Sequence, residues 1–142
     1  MDRPPAGFRE IEHTADLGFE VTGQDLAALF SAAGEALYAL IADPQTVNIR
    51  EEIAITASGK GPDELLHAWL CELLAVFNLK RFIGKHCAVI KLTESSVEGQ
   101  IKGEKLDLSR HAFHTEIKGV TYHGFKVWNE KAKWHARVIL DV

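Results

Sequence analysis

Two segments of the chain repeat their apolar residues at helical spacing, and most of the chain beyond them alternates. In the first, Leu26, Leu29, Phe30, Ala33, Leu37, Leu40 and Ile41 recur at i, i+3, i+4 and i+7, marking one buried helix face. Asp25 is placed to cap its start. Asp43-Pro44 stops it, because the residue before a proline avoids the helical region. The second opens at Pro62, with Asp63 and Glu64 suited to a first turn, and carries Leu65, Leu66, Trp69, Leu70, Leu73, Leu74 and Phe77. That stripe reads as core, not as a cofactor pocket, and Gly84 lies a little beyond its end. Residues 8–12 and 17–22 read as a strand interrupted at His13-Thr14-Ala15-Asp16, and 53–57 as a short strand between the helices.

From residue 86 the period is two. Cys87, Val89 and Leu92 precede a turn at 93–96, after which Val97, Gly99 and Ile101 alternate with polar residues. A polar stretch over 102–113 comes next. Strands are expected over 116–123, 125–128 and 134–140, the last two joined by a turn at 129–133. Two helices separated by one strand and followed by hairpins predict an α+β class. Its form is a mostly antiparallel sheet with two amphipathic helices packed on one face. No repeat or linker divides the chain, so residues 1–142 form a single domain.

Composition narrows the class. At 142 residues the chain can bury a core without disulfides or metal staples. A net charge of −4 argues against a free-standing nucleic-acid binder, whose affinity comes from clustered Lys and Arg, so no stable direct binding of nucleic acid is expected. No apolar run approaches a membrane span and no secretion signal precedes the first strand, so a cytoplasmic protein without membrane attachment is expected. Cys71 and Cys87 lack CxxC spacing and read as reduced, semi-buried thiols.

The seven histidines do not assemble an obvious site. His111 and His114 form an HxxH on a polar loop, which offers two zinc ligands no fixed face. His67 reads as a helix boundary residue, and His86 and His135 as strand-start residues. His13 and His123 each abut a turn, where a functional imidazole and a buried structural one are equally good readings. No GxSxG, GxxxxGK[ST] or GxGxxG is present, and no Ser or Cys sits in a nucleophile motif. The acidic residues say more. Asp16 follows the first strand signal, and the apolar run 136–140 ends in Asp141-Val142 instead of trailing into polar residues. If the last strand lies beside Asp16, the carboxylates of Asp16, Asp141 and the Val142 terminus converge, a donor set suited to a hard cation such as calcium, magnesium or manganese. Taken alone, Asp16 reads as a turn or capping residue and Asp141 as an exposed strand-end charge.

The segment Glu12-His13-Thr14-Ala15-Asp16-Leu17-Gly18 resembles the opening signature of the archease family. So do the run Gly23-Gln24-Asp25-Leu26-Ala27-Ala28-Leu29-Phe30 and the run Trp69-Leu70-Cys71-Glu72-Leu73-Leu74. The resemblance continues through Glu116-Ile117-Lys118-Gly119-Val120-Thr121-Tyr122-His123-Gly124 and Ala136-Arg137-Val138-Ile139-Leu140-Asp141-Val142, covering essentially the whole chain in order. Two departures stand out: Gly119, where a larger residue is common, and Asn129-Glu130-Lys131-Ala132 in place of a glycine-rich hairpin.

The resemblance implies a non-catalytic accessory protein of the RtcB-type RNA ligase in tRNA splicing and RNA repair. It would promote guanylylation of the ligase and its multiple turnover, and widen its nucleotide preference. It also implies a metal site at Asp16, Asp141 and Val142, calcium being the ion usually associated with it, with manganese or magnesium as alternatives. His13, Lys118 and His123 are candidates for a functional surface. The alternatives are a general chaperone or modulator of RNA-modifying enzymes, and a stand-alone metal-dependent hydrolase using Asp16, Asp141 and His123.

Overall fold

The computed structural model describes residues 9–12 and 16–142, with side chains described from Leu17 onward. Strand β1 (Arg9–Glu12) and strand β2 (Asp16–Gly23) are antiparallel partners, Glu12 opposite Leu17, so they are two strands and not one interrupted strand. Helix α1 (Leu26–Ile41) starts where the Asp25 carboxylate accepts the Ala28 N–H at 2.8 Å. It ends ahead of Pro44: Ala42 turns extended, and Asp43 caps a single 3-10 turn at Pro44–Thr46. Strand β3 (Glu51–Ser58) leads into helix α2 (Gly61–Lys80), which is closed by Arg81 in the left-handed region at φ 50°. Gly84 has another role. It lies in strand β4 (Phe82–Leu92), where a Cβ would stand 2.6 Å from the Tyr38 ring.

Strands β5 (Ser96–Lys105), β6 (Gly119–Val120), β7 (Lys126–Glu130) and β8 (Lys133–Asp141) complete the described chain. The class is α+β and every strand pairing is antiparallel. The strands divide into two sheets where one was expected. One runs β1-β2-β8-β6 with β7 also on β8; the other runs β3-β5-β4. Both helices contact both sheets. The reason is visible in α1, where Gly34, Ala36 and Tyr38 are buried in addition to the expected stripe. Gly34 faces Leu73 and Cys87, the Tyr38 hydroxyl donates to the Leu73 carbonyl at 2.7 Å, and Trp69 Nε1–H donates to the Phe30 carbonyl at 3.0 Å. A helix buried this widely needs cover on two sides.

Strand β8 is central, with β2 along one edge and β6 then β7 along the other. The expected strand over 116–123 shrinks to Gly119–Val120, and the next runs Lys126–Glu130 instead of 125–128. Between them Thr121 gives its N–H to the Ile139 carbonyl, after which residues 122–125 leave the sheet edge. No helix among the described residues is long and apolar enough to cross a membrane.

Candidate functional site

The β2–β8 register sets Asp16 directly opposite Asp141, and the β6–β8 register sets Gly119 opposite Asp141 on the other side. Directly opposed residues in such a ladder have Cα atoms about 4.5–5.5 Å apart. Asp141 is exposed at the end of its strand, and its main-chain carbonyl is engaged by the Lys118 N–H at 2.7 Å. Its carboxylate is thus presented from a tethered backbone. Val142 follows it, 40% exposed. A Cβ built on Gly119 would meet no atom within 4 Å, so the fold does not require glycine beside Asp141 and there is space there.

The register thus brings the Asp16 and Asp141 backbones together; the Asp16 side chain and all of His13 lie outside what is described. Lys118 is exposed next to β6, and His123 is exposed in the excursion at 122–125 rather than in a strand. His111 and His114 are not brought together as a ligand pair: His111 is buried, whereas His114 is exposed and gives its backbone N–H to the Ile41 carbonyl. Among the described residues, no group of three or more His, Cys, Asp or Glu side chains could hold a metal ion. The candidate set thus depends on Asp16 joining Asp141 and Val142.

Two buried polar nodes escaped the sequence reading. In the first, Glu104 (2% exposed) accepts two bonds from Arg110 at 2.6 and 2.9 Å and the Asn48 N–H at 2.6 Å, and lies 3.3 Å from Arg50 Nε. His111 Nδ1 accepts the Asp107 N–H, so its hydrogen sits on Nε2 and is donated to Glu104 at 2.8 Å. The Arg110 guanidinium, helped by the Asn48 amide and His111, holds the Glu104 carboxyl at about 2. The node pins the loop that leads from β5 toward Lys118. Its sequence sign was the chemically sparse pair Glu104 and Arg110, six residues apart and uninformative without the fold.

The second node is His67 on α2. The Val120 carbonyl can only accept, so His67 Nε2 carries the hydrogen and donates at 2.8 Å, while Nδ1 lies 3.6 Å from Cys71 Sγ. Tyr122 stacks on the imidazole at 3.7 Å between centroids, and Phe125 meets it edge-on at 5.3 Å. This stack against α2 competes with continued pairing to β8, which is why the expected strand stops at Val120. Burial pushes the Cys71 thiol up, with Glu72 adding to the effect, so Cys71 stays protonated. His86 and His135 lie within their strands; His86 approaches Glu35 at 3.8 Å and His135 stacks on Trp128.

An α+β domain of two antiparallel sheets enclosing two helices, with an aspartate pair closed across the first and last long strands of one sheet, defines the class. The sequence profile of the Archease protein family (MTH1598/TM1083) matches residues 8–142, and the chain belongs to that family. It is 38% identical to Protein archease of Methanopyrus kandleri, over 95% of this chain and 99% of that one. Against Protein archease of Methanosarcina barkeri it is 33% identical, with 95% of each covered. The solution structure of Methanobacterium thermoautotrophicum protein 1598 superposes with a TM-score of 0.80 at 29% identity, covering 96% of this chain and 99% of that one. A Thermotoga maritima crystal structure, described as an archease and possible chaperone, shares the fold at TM-score 0.68 and 18% identity, covering 100% and 98%.

Proposed function

We propose that this chain is a non-catalytic accessory protein that activates an RtcB-type RNA ligase in tRNA splicing or RNA repair. It promotes guanylylation of the ligase and its multiple turnover, in the cytoplasm, with Asp16, Asp141 and Val142 holding a divalent cation. The observation that carries this reading is the β2–β8 register, which opposes Asp16 and Asp141 with Val142 next in the chain. The donor set is oxygen only and anionic, the chemistry that calcium, manganese and magnesium prefer. Bound there, the cation would supply positive charge that an anionic phosphate group on the partner can meet. Lys118, just before β6, fixes the Asp141 main chain, so the carboxylate is presented from an ordered backbone. The exposed side chains of Lys118 and His123 serve as docking contacts, with His13 as a third candidate in the segment before Asp16.

A non-catalytic role is supported by a sequence with no phosphate-cradling glycine loop and no nucleophile paired with a base. The deciding experiment is multiple-turnover RNA ligation by an RtcB-type ligase with and without this protein. Substoichiometric protein should raise turnover, while the protein alone neither ligates RNA nor hydrolyses GTP. Unchanged ligase turnover would refute the proposal.

A further inference from the structure

We infer that the edge of the five-stranded sheet over residues 118–133 is a contact surface for an unpaired stretch of nucleic acid, with the Tyr122 ring as the platform on which a base stacks. Tyr122 is 65% exposed, yet it is fixed in place. One face lies on the His67 imidazole at 3.7 Å and 10° between planes, and Phe125 braces both rings edge-on at 5.3 and 6.4 Å. His67 is itself buried and tethered to the Val120 carbonyl, so the layer beneath Tyr122 is rigid. The exposure of the tyrosine therefore belongs to its outer face and rim. A pre-set aromatic face of this kind accepts any base, because every base has a π surface.

Charge along the same edge selects a polyanion. The chain as a whole is at −4, but residues 118–133 carry Lys118, Lys126, Lys131 and Lys133, all exposed, against the single carboxylate of Glu130. The Lys126 ammonium is held 4.9 Å over the Trp128 ring, and Trp128 Nε1–H reaches Glu130 at 3.4 Å. Lys118 bonds Asp141 through its amide, and Lys126 opposes Arg137, four residues along β8. Their backbones thus stand about 13 Å apart, with Tyr122 in the excursion between them. Strands β6 and β7 pair only with β8 among the described strands, and on its other side β6 meets α2, where His67 takes the Val120 carbonyl. Net charge opposes long-range attraction, but at physiological salt charges interact over only about 8 Å, so the local lysines decide contact. Apart from Lys118, which also tethers Asp141, none of this depends on the carboxylate site.

The test is fluorescence anisotropy with a labelled oligouridine of about twelve nucleotides, a length within the usual range of single-strand sites. Binding should weaken with salt, log Kd against log salt rising with a slope of about 2, from roughly three phosphates at ~0.7 each. Tyr122→Ala should weaken binding about tenfold with that slope unchanged, and Tyr122→Phe should bind like the unaltered protein. Lys126→Gln and Lys131→Gln should each lower the slope by about 0.7. Circular dichroism of Tyr122→Ala separates lost binding from a disturbed fold. The unaltered protein is also mixed with RNA carrying 2-aminopurine, whose fluorescence should be quenched by stacking. Absence of binding at low salt, absence of quenching, or polyglutamate of equal charge binding as tightly as RNA would each overturn the inference.

Discussion

Asp16 and Asp141, near opposite ends of the chain, are direct partners in the β2–β8 ladder. If they share an ion, Asp16→Asn or Asp141→Asn should abolish divalent binding and ligase activation. Stability should stay within about 0.5 kcal/mol without metal, since relieving repulsion between neighbouring carboxylates costs the fold little. The double variant should be no worse than either single one, because one loss already breaks the site. Calcium titration calorimetry and a ligation assay read both effects; full activation by both single variants would end the metal reading.

The Val142 terminus is tested by altering only the chain end. Protein made to this sequence carries a carboxylate on Val142, and residues appended there convert it to an amide whose carbonyl calcium still accepts. Divalent affinity and activation should fall less than for Asp141→Asn. Deleting Val142 should be worse, since it moves the terminal carboxylate onto residue 141. Equal affinities for calcium and manganese in extended, truncated and unmodified proteins would show that the terminus only packs.

The buried Glu104 node sets the acid limb of stability. Its carboxyl is held at about 2, below the ordinary 4.5, mainly by Arg110. The stabilisation is therefore complete above about pH 4.5 and is lost as pH falls through the folded value near 2. Glu104→Gln should flatten that limb and cost about 1–2 kcal/mol at neutral pH, because the Asn48 N–H and His111 lose a charged acceptor while the part-exposed Arg110 keeps contact with water. The melting temperature should drop by roughly 5 °C. An unaltered melting temperature and acid transition would show the node to be dispensable.

The β7–β8 hairpin turns on Lys131 and Ala132 with φ of 56° and 63°, the left-handed region that a two-residue turn of this kind requires. Neither residue is the glycine or asparagine usually found there. Ala132→Gly relieves the Cβ clash and should stabilise by about 0.5–1 kcal/mol, less the entropy that glycine adds to the unfolded chain. A rise of about 2–4 °C in the melting temperature is expected. A fall would mean that the surrounding sheet already absorbs the strain.

Local chemistry was legible in the residues themselves. The Asp25 cap, the stop before Pro44 and the apolar stripes of both helices depend on neighbours within a few positions, and each stands where local spacing puts it. Asp16, Asp141 and Val142 could likewise be picked out as unusual residues at strand ends. What the sequence could not hold was register and layering. The opposition of Asp16 to Asp141, the division into two sheets and the burial of Tyr38 between them are set by contacts between distant segments. Tertiary packing also overrode local pattern. Residues 116–123 alternate like a strand, but the His67 stack draws Tyr122 off the sheet edge, and His111, read as part of a polar loop, is a buried partner of Glu104. Side-chain periodicity states which face is apolar; only the folded chain decides what covers that face, because the competing partners lie far apart in sequence.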